Sequence, residues 1–561
     1  MECGFNVGYR LTHSELKIRR CASEAPAGYG LLHDADIRAW VSAHYADLLD
    51  AWAGLPGSGD RFDLACRLAY RGDLLQWNGY PAVWWHAALT LISERHGIKM
   101  ANLTCLGAQS PEIPRGLLSR LLQLERRRSG KSASSPVFSE LVFGVVLGAG
   151  FLLGAAEYVA AWIKSRRFGR RLECPGECLV FLFADEDNTT RHVYRWLRSL
   201  RPEQYTVYLL GSPLRALKTR REWFPGSLPT VGEFFRGLWR GAKAAGTYLR
   251  AARRSCALVL PDDRAAWKRV FANGARLVRY GVHRARLARC ASLPSTALFA
   301  LQATEGILLD VYLESANIKT VHWLHGILAS RRNLDGLASL VIAKSNADVV
   351  ELLGHGHYGN AINGLRSKEL RTAPSLRMAP EDTAGGLLLL STIHHPTRVP
   401  PHELKLRELR AFLETASELA KTLGCRVTWR PHPYEVSLNC VALISARMDL
   451  REITVDYHTP LRQQIDSAKQ IVTTISGTIL DVVERGRIPL IYTGAFYEPA
   501  GMAHVLPAGL LFKDLAEGQQ CLAQLRETGS QNLLFSQLTA QLDFDREYHP
   551  AGTTFAAMEG A

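Results

Sequence analysis

Several features that would place this chain in a class at once are missing. Its 11 cysteines are scattered, and the one close pair, Cys174 and Cys178, is not repeated at any metal-binding spacing. Neither a disulfide framework nor a zinc centre is therefore expected, and a reducing compartment fits. No fibrous pattern and no internal repeat period is visible. The opening stretch MECGFNVGYRLTHSELKIRR has no apolar h-region, so no cleavable signal is expected and a cytoplasmic start is. There is no helix-turn-helix, zinc-finger or RNA-recognition signature, which leaves nucleic acid out of the expected partners. Acids are in deficit, with 53 Asp and Glu against 67 Lys and Arg and a formal charge of +14. The excess, mostly arginine and dense between Arg115 and Arg289, attracts phosphate-rich partners such as nucleotide-linked substrates or an anionic membrane surface.

What is present is the material of a multidomain globular protein: 561 residues, 47% hydrophobic, with 46 Gly and 25 Pro. That length predicts about three or four units of ordinary size. Residues 1–128 carry helical spacing in DADIRAWVSAHYADLLDAWAGL and RGLLSRLLQLERRR, and read as a helical N-terminal module. Residues 129–172 read as a small, polar, basic linker followed by an apolar helix. The charge-free core of that helix, Leu141 to Ala156, is shorter than the roughly 20 residues a bilayer span needs. A buried helix or a membrane-dipping hairpin is expected there in preference to a span.

From ECLVFLFADEDN onward, apolar runs alternate with helical segments, the pattern of a parallel α/β sheet. Residues 173–375 form one such series. The stretch TAPSLRMAPEDTAGG has the composition of a linker, and a second series fills 386–545. The expected fold is α/β, with two Rossmann-like parallel-sheet domains facing a cleft, where ligands bind at the carboxyl ends of strands.

Three strand exits of the second series carry anion-seeking groups. STIHHPTR presents Thr392, His394, His395 and Arg398; RPHPYE presents Arg430 and His432, with Pro431 and Pro433 restricting the backbone. TTISGTILD presents Ser476, Gly477 and Thr478 at a helix start, where free N–H groups and hydroxyls make a phosphate seat. Ser476 or Thr478 could equally serve as a helix cap. Asp481, one turn in, can reach a ribose hydroxyl or merely favour the helix dipole. Together the three exits point to a diphosphate or nucleotide site.

RPHP followed by TTISGTILDVVERGRIPLIY resembles the C-terminal half of GT-B transferases that use cytidine-nucleotide donors. These include the sialyl-, polysialyl- and Kdo-transferases of capsule synthesis and the CDP-glycerol glycerophosphotransferases of teichoic-acid synthesis. The resemblance implies that His432 with Pro433, and Ser476 with Thr478, bind donor phosphate and cytidine. WLHG, with His325 and Gly326, resembles the His-Gly turn of capsule and teichoic-acid transferases. Thr304-Glu305-Gly306 resembles the acidic-Gly motif that holds the sialyltransferase base, which has two acids before the Gly where this chain has one. Glu305 is thus the first candidate base and His325 the second, although a helix-start acid and a structural histidine explain them as well. Asp185 and Asp187, at another strand exit, can contact the acceptor or simply start a helix.

The expected activity is transfer of a sugar from a nucleotide donor, a CMP-sugar by resemblance, to a bacterial surface polysaccharide or lipid-linked acceptor. Transfer from a CDP-polyol and a non-catalytic basic binding protein are the alternatives. No cofactor is expected, and no metal, since Arg430, His432 and the helix turn can carry the phosphate charge. Finally, TVGEFFRGLWRGAKAAGTYLRAARRS interleaves aromatics with cations. It reads either as a core helix with a solvated basic face or as a membrane-surface helix, which would place the protein on the inner face of the cytoplasmic membrane.

Overall fold

The computed structural model describes residues 6–542 except 56–58, 73–79, 109–114, 130–136, 166–173, 184–200 (Val193 and Leu197 apart), 217–227, 259–263, 301–303, 325–335, 364–374, 378–385, 393–400, 495–505 and a few single positions. Three sheets organise it.

The first sheet corrects the expectation of an all-helical N-terminal module. Strands β1 (Asn6–Thr12), β2 (Glu15–Cys21), β3 (Gly30–Leu32) and β4 (Thr104–Ala108) lie in the order β3-β1-β2-β4. A tight turn with His13 at φ 57° joins β1 to β2 antiparallel. Leu16 and Ile18 of β2 point into the core while Lys17 and Arg19 point out. That is period-2 alternation, and its charged outer face disguises it as a basic stretch. Helices α1 (Asp34–Ala53), α2 (Arg61–Tyr70), α3 (Tyr80–Arg95) and α4 (Arg115–Arg128) complete the module around the buried Trp52, Trp84 and Trp85. The module does not stand alone. Its core runs without a break into that of the next domain, Tyr70 hydroxyl meets Ser255 at 2.7 Å, and Arg61 pairs with Glu314.

Next come α5 (Val137–Ser165), β5 (Cys178–Phe183), β6 (Tyr205–Leu210), α6 (Val231–Ala252), α7 (Arg264–Leu287), β7 (Thr296–Phe299), α8 (Thr304–Ser315), β8 (Lys319–Trp323), β9 (Leu340–Ala343) and β10 (Ala361–Asn363). The strands form an all-parallel sheet ordered β10-β9-β8-β7-β5-β6. Numbered within the domain, that is 2-1-3-4-5-6, the flavodoxin-like winding.

Helix α5 is neither a buried helix nor a hairpin. It is one continuous element whose small residues meet α7 at backbone distance: a Cβ on Gly150 would fall 1.8 Å from the Phe271 carbonyl oxygen, and one on Gly274 2.1 Å from that of Leu147. Leu153 is exposed on its flank, and its opposite side exposes Leu141, Val145, Leu152, Val159 and Ile163. At 100° per residue these five fall within a narrow arc of the helix.

The last domain contains β11 (Leu387–Leu390), α9 (Pro401–Leu423), β12 (Val427–Arg430), α10 (Pro433–Ser437), β13 (Ile453–Val455), α11 (Leu461–Ser467), β14 (Gln470–Thr474), α12 (Thr478–Glu484), β15 (Pro489–Tyr492) and β16 (Leu511–Phe512). Its parallel order, β13-β12-β11-β14-β15-β16, is 3-2-1-4-5-6 within the domain, the doubly wound Rossmann order. All four residues of β11 and of β15 are buried. Being covered on both faces is why these strands read as unbroken apolar runs. The expected pair of parallel-sheet domains is therefore present.

Candidate functional site

In a doubly wound sheet the chain leaves the two central strands in opposite directions, and a crevice opens beyond their carboxyl ends. Here those strands are β11 and β14, paired with Leu390 opposite Thr473. Their exits are tied together: Thr392 N–H donates to Thr474 Oγ1 at 2.9 Å, and the Thr474 hydroxyl donates back to the Thr392 carbonyl at 3.1 Å. Thr473 Oγ1 reaches the Leu390 carbonyl at 3.2 Å and Thr478 Oγ1 at 3.0 Å, and Thr478 Oγ1 meets Ser476 Oγ at 2.5 Å. Ser476 and Thr478 thus belong to a chain of hydroxyls at the start of α12. Gly477 is the N-cap residue, with φ −58° and ψ −18° and no side-chain cap. A Cβ added there would have nothing within 4 Å beyond its own chain neighbours. No neighbouring atom calls for glycine at this position, and the space above the turn is open.

The RPHPYE stretch, the exit of β12, adjoins this crevice. Pro433 opens α10 at a position whose missing N–H costs the helix nothing. His432 precedes it, and the Glu435 carboxylate reaches back to accept from His432 N–H at 3.0 Å, the return half of a capping box. Glu435 is wholly buried and also accepts the Ser391 hydroxyl at 2.5 Å, while Trp429 Nε1 donates to Ser391 Oγ at 2.8 Å. The two prolines, His432 and Glu435 together fix the β12 exit to the β11 exit. Ser391, Trp429, Thr474 and Glu435 are missed by sequence reasoning. The glutamate three residues after His432 was the available signal, in the spacing of a capping box.

Arg430 is placed differently from the expectation. Its Nη1 donates to the Thr459 carbonyl at 2.5 Å and to Gln464 Oε1 at 2.8 Å, so it straps the loop after β13 to the sheet. In that loop the Thr459 hydroxyl and N–H and the His458 N–H hold the Asp456 carboxyl well below the usual carboxylate range. Asp481 is exposed on α12.

On the first parallel sheet, Glu305 sits at the start of α8, beyond β7, and is 1% exposed. Arg279 Nε donates to both its oxygens, at 3.1 and 3.4 Å, and Arg279 also faces Glu157 at 3.5 Å. A carboxylate enclosed this way ties α5, α7 and α8 together and has little access to an acceptor hydroxyl. His325, Asp185 and Asp187, like His394, His395 and Arg398, lie outside the described residues. Among the described residues no group of three or more His, Cys, Asp or Glu could hold a metal ion.

No protein-family model matches the chain, and no curated protein matches its sequence. Solved structures do, at low identity. One is the UDP-GlcNAc 2-epimerase of Neisseria meningitidis bound to UDP-GlcNAc, with 10% identity, a TM-score of 0.41, and coverage of 68% of this chain and all of that one. Another is Anabaena Alr3699/HepE in complex with UDP and glucose, with 11% identity, a TM-score of 0.40, and coverage of 69% and 100%. A third is S. aureus TarM with α-GlcNAc-glycerol and UDP, with 9% identity, a TM-score of 0.30, and coverage of 47% and 55%.

Proposed function

We propose that the protein is a GT-B glycosyltransferase that binds a nucleotide-sugar donor at the carboxyl edge of its second parallel sheet. The observation that carries this reading is the reversal of strand order between β11 and β14. That reversal brings Thr392 and the Ser476–Thr478 turn to one crevice, with the His432 exit fixed beside them.

In this reading the donor phosphate lies over the Gly477 turn. The first N–H groups of α12 and the hydroxyls of Ser476 and Thr478 donate to it, and His432 neutralises charge as the sugar–phosphate bond breaks. Arg430 acts through the loop it holds rather than on the donor. Deprotonation of the acceptor hydroxyl falls to the first parallel-sheet domain, where His325 is the remaining candidate once Glu305 is committed to Arg279. The nucleotide is a cytidine one, a finer reading that rests on the RPHP and SGT resemblance alone. The acceptor is a surface polysaccharide or lipid-linked glycan, and the exposed apolar stripe of α5 supports work at a membrane surface.

The test is nucleotide binding by calorimetry and thermal shift, comparing CMP, CDP, UDP and GDP on the native protein and on His432→Ala. Because a ligand of the folded state raises its stability, a cytidine-selective response that the variant loses is the expected result. A response selective for UDP or GDP would keep sugar transfer and remove cytidine. No response to any nucleotide would overturn the reading.

A further inference from the structure

A pocket lies in the part of the chain that carries the first parallel sheet, walled by the start of α2 and by α6, α7 and α8. Its volume is about 730 Å³, and its walls include Trp239, Arg240, Lys243, Arg250, Arg284 and Tyr312. Helix α8 starts beyond the carboxyl end of β7, so residues 311–315, at its far end, place this pocket toward the amino edge of the first parallel sheet.

Four cations share this space, and among the described residues none has a carboxylate partner. Arg240 Nη1 donates to the Arg284 carbonyl at 3.1 Å, Arg284 Nη1 to the Tyr280 hydroxyl at 3.1 Å, and Arg250 Nη2 to Thr247 Oγ1 at 2.9 Å. The Arg284 guanidinium lies over the Tyr312 ring at 5.2 Å, and its Nε is buried without an acceptor. The pocket's own acids are engaged elsewhere: Asp63 pairs with Arg67, and Asp60 caps α2 by accepting from Asp63 N–H. Burial, and then the like charge of Arg284, pull the Arg240 pKa down from its ordinary value. Clustered cations, of which Arg240 and Arg284 are half-buried, repel one another and present unused donors, so an anion entering this space gains on both counts.

The approach to the pocket is apolar. Val231, Phe235 and Trp239, each one turn beyond the last on α6, are 45%, 64% and 77% exposed, and Trp239 is itself part of the pocket wall. The row then continues into Lys243 and Arg250. Alongside runs α5 with its exposed stripe; α5 and α6 are antiparallel neighbours on α7, with Trp162 of one against Phe234 of the other and Gly144 facing Leu249. Aromatic groups beside cations match an amphiphile whose tail lies in a bilayer and whose head carries phosphate. A soluble anion would have no use for three exposed apolar side chains leading to the site.

We propose that this pocket binds the phosphate-bearing headgroup of an anionic membrane lipid, with α5 and the Val231–Trp239 row lying in the bilayer interface. The proposal rests on the membrane placement of that face and is independent of the nucleotide.

The test is flotation of the full-length protein with vesicles of phosphatidylcholine alone and of phosphatidylcholine doped with phosphatidic acid, beside calorimetry with inorganic pyrophosphate. Lys243→Gln with Arg250→Gln should weaken binding to the doped vesicles about thirtyfold and leave binding to neutral ones unchanged, at roughly fivefold per surface charge. Both sites are exposed, and unaltered melting would confirm folding. Phe235→Ser with Trp239→Ser should weaken binding to both kinds of vesicle. Arg236→Gln, an exposed cation on α6 outside the pocket wall, should cost clearly less than Lys243→Gln alone. Equal losses would mean diffuse charge and overturn the pocket. Equal binding of the native protein to neutral and doped vesicles would overturn the headgroup site while sparing the apolar stripe. Binding to neither would remove the membrane placement as well. Pyrophosphate bound without vesicles, and indifferent to Phe235 and Trp239, would replace the lipid with a soluble anion.

Discussion

Replacing Gly477 by alanine separates the fold from the site. The backbone there, at φ −58° and ψ −18°, is open to any L-residue, and the new methyl would meet nothing within 4 Å beyond its own chain neighbours. Loss of glycine's freedom in the unfolded chain should therefore raise stability by about 0.4–1 kcal/mol. The same methyl would stand in the space that a phosphate needs to approach the first N–H groups of α12. Displacing one charge-assisted hydrogen bond costs about 1.5–3 kcal/mol, so nucleotide affinity should fall by about 10- to 150-fold. Denaturant unfolding and calorimetry on the same preparations give the two numbers. A destabilised variant would show that the space is not open. A stable variant with unchanged affinity would show that the donor does not use this turn, and the proposed site would go with it.

Three further outcomes follow from buried groups. Glu435→Ala removes the shared acceptor of the Ser391 hydroxyl and His432 N–H and should cost about 2–4 kcal/mol in chemical unfolding, with Glu435→Gln milder; an unchanged midpoint would refute its role in joining the exits. Glu305→Gln leaves Arg279 without its closest carboxylate and should cost about 3–5 kcal/mol, whereas intact stability with a collapsed turnover number would restore Glu305 as the base. His283, hydrogen-bonded to the Tyr208 hydroxyl at 2.8 Å, is pushed down to about 3 by burial and then by Arg286 and Arg279. The unfolded chain takes up that proton near 6.5 and the folded one does not, so His283 should cost no stability above about pH 6.5 and an increasing amount as pH falls toward 3, on the order of 5 kcal/mol in all. His283→Gln should flatten this acid limb, and an unchanged limb would refute the assignment.

The candidate site was legible wherever the signal is local. The apolar runs of β11, β14 and β15 appear in the sequence because these parallel strands are buried on both faces, and the Ser476–Thr478 turn follows directly where the run of β14 ends. Short pieces were illegible. Strands β13 and β16 span three and two residues, too few for any period to register. Strand β2 had a period, but it was masked by the charges on its solvent side.

By itself, then, the sequence determined the two parallel α/β series, the polar exits of the second, and the positive field, since each depends on residue type and spacing along the chain. Only the tertiary structure decided which exits meet. Thr392 and Thr474 are 82 positions apart, yet they exchange two hydrogen bonds, because the order of strands in a sheet is a non-local choice. It likewise decided that Arg430 holds a loop, that Glu305 serves Arg279, and that Arg284 of α7 joins Arg240, Lys243 and Arg250 of α6 in one pocket. A charged side chain's partner is set by what packs beside it, and the local sequence carries no record of that.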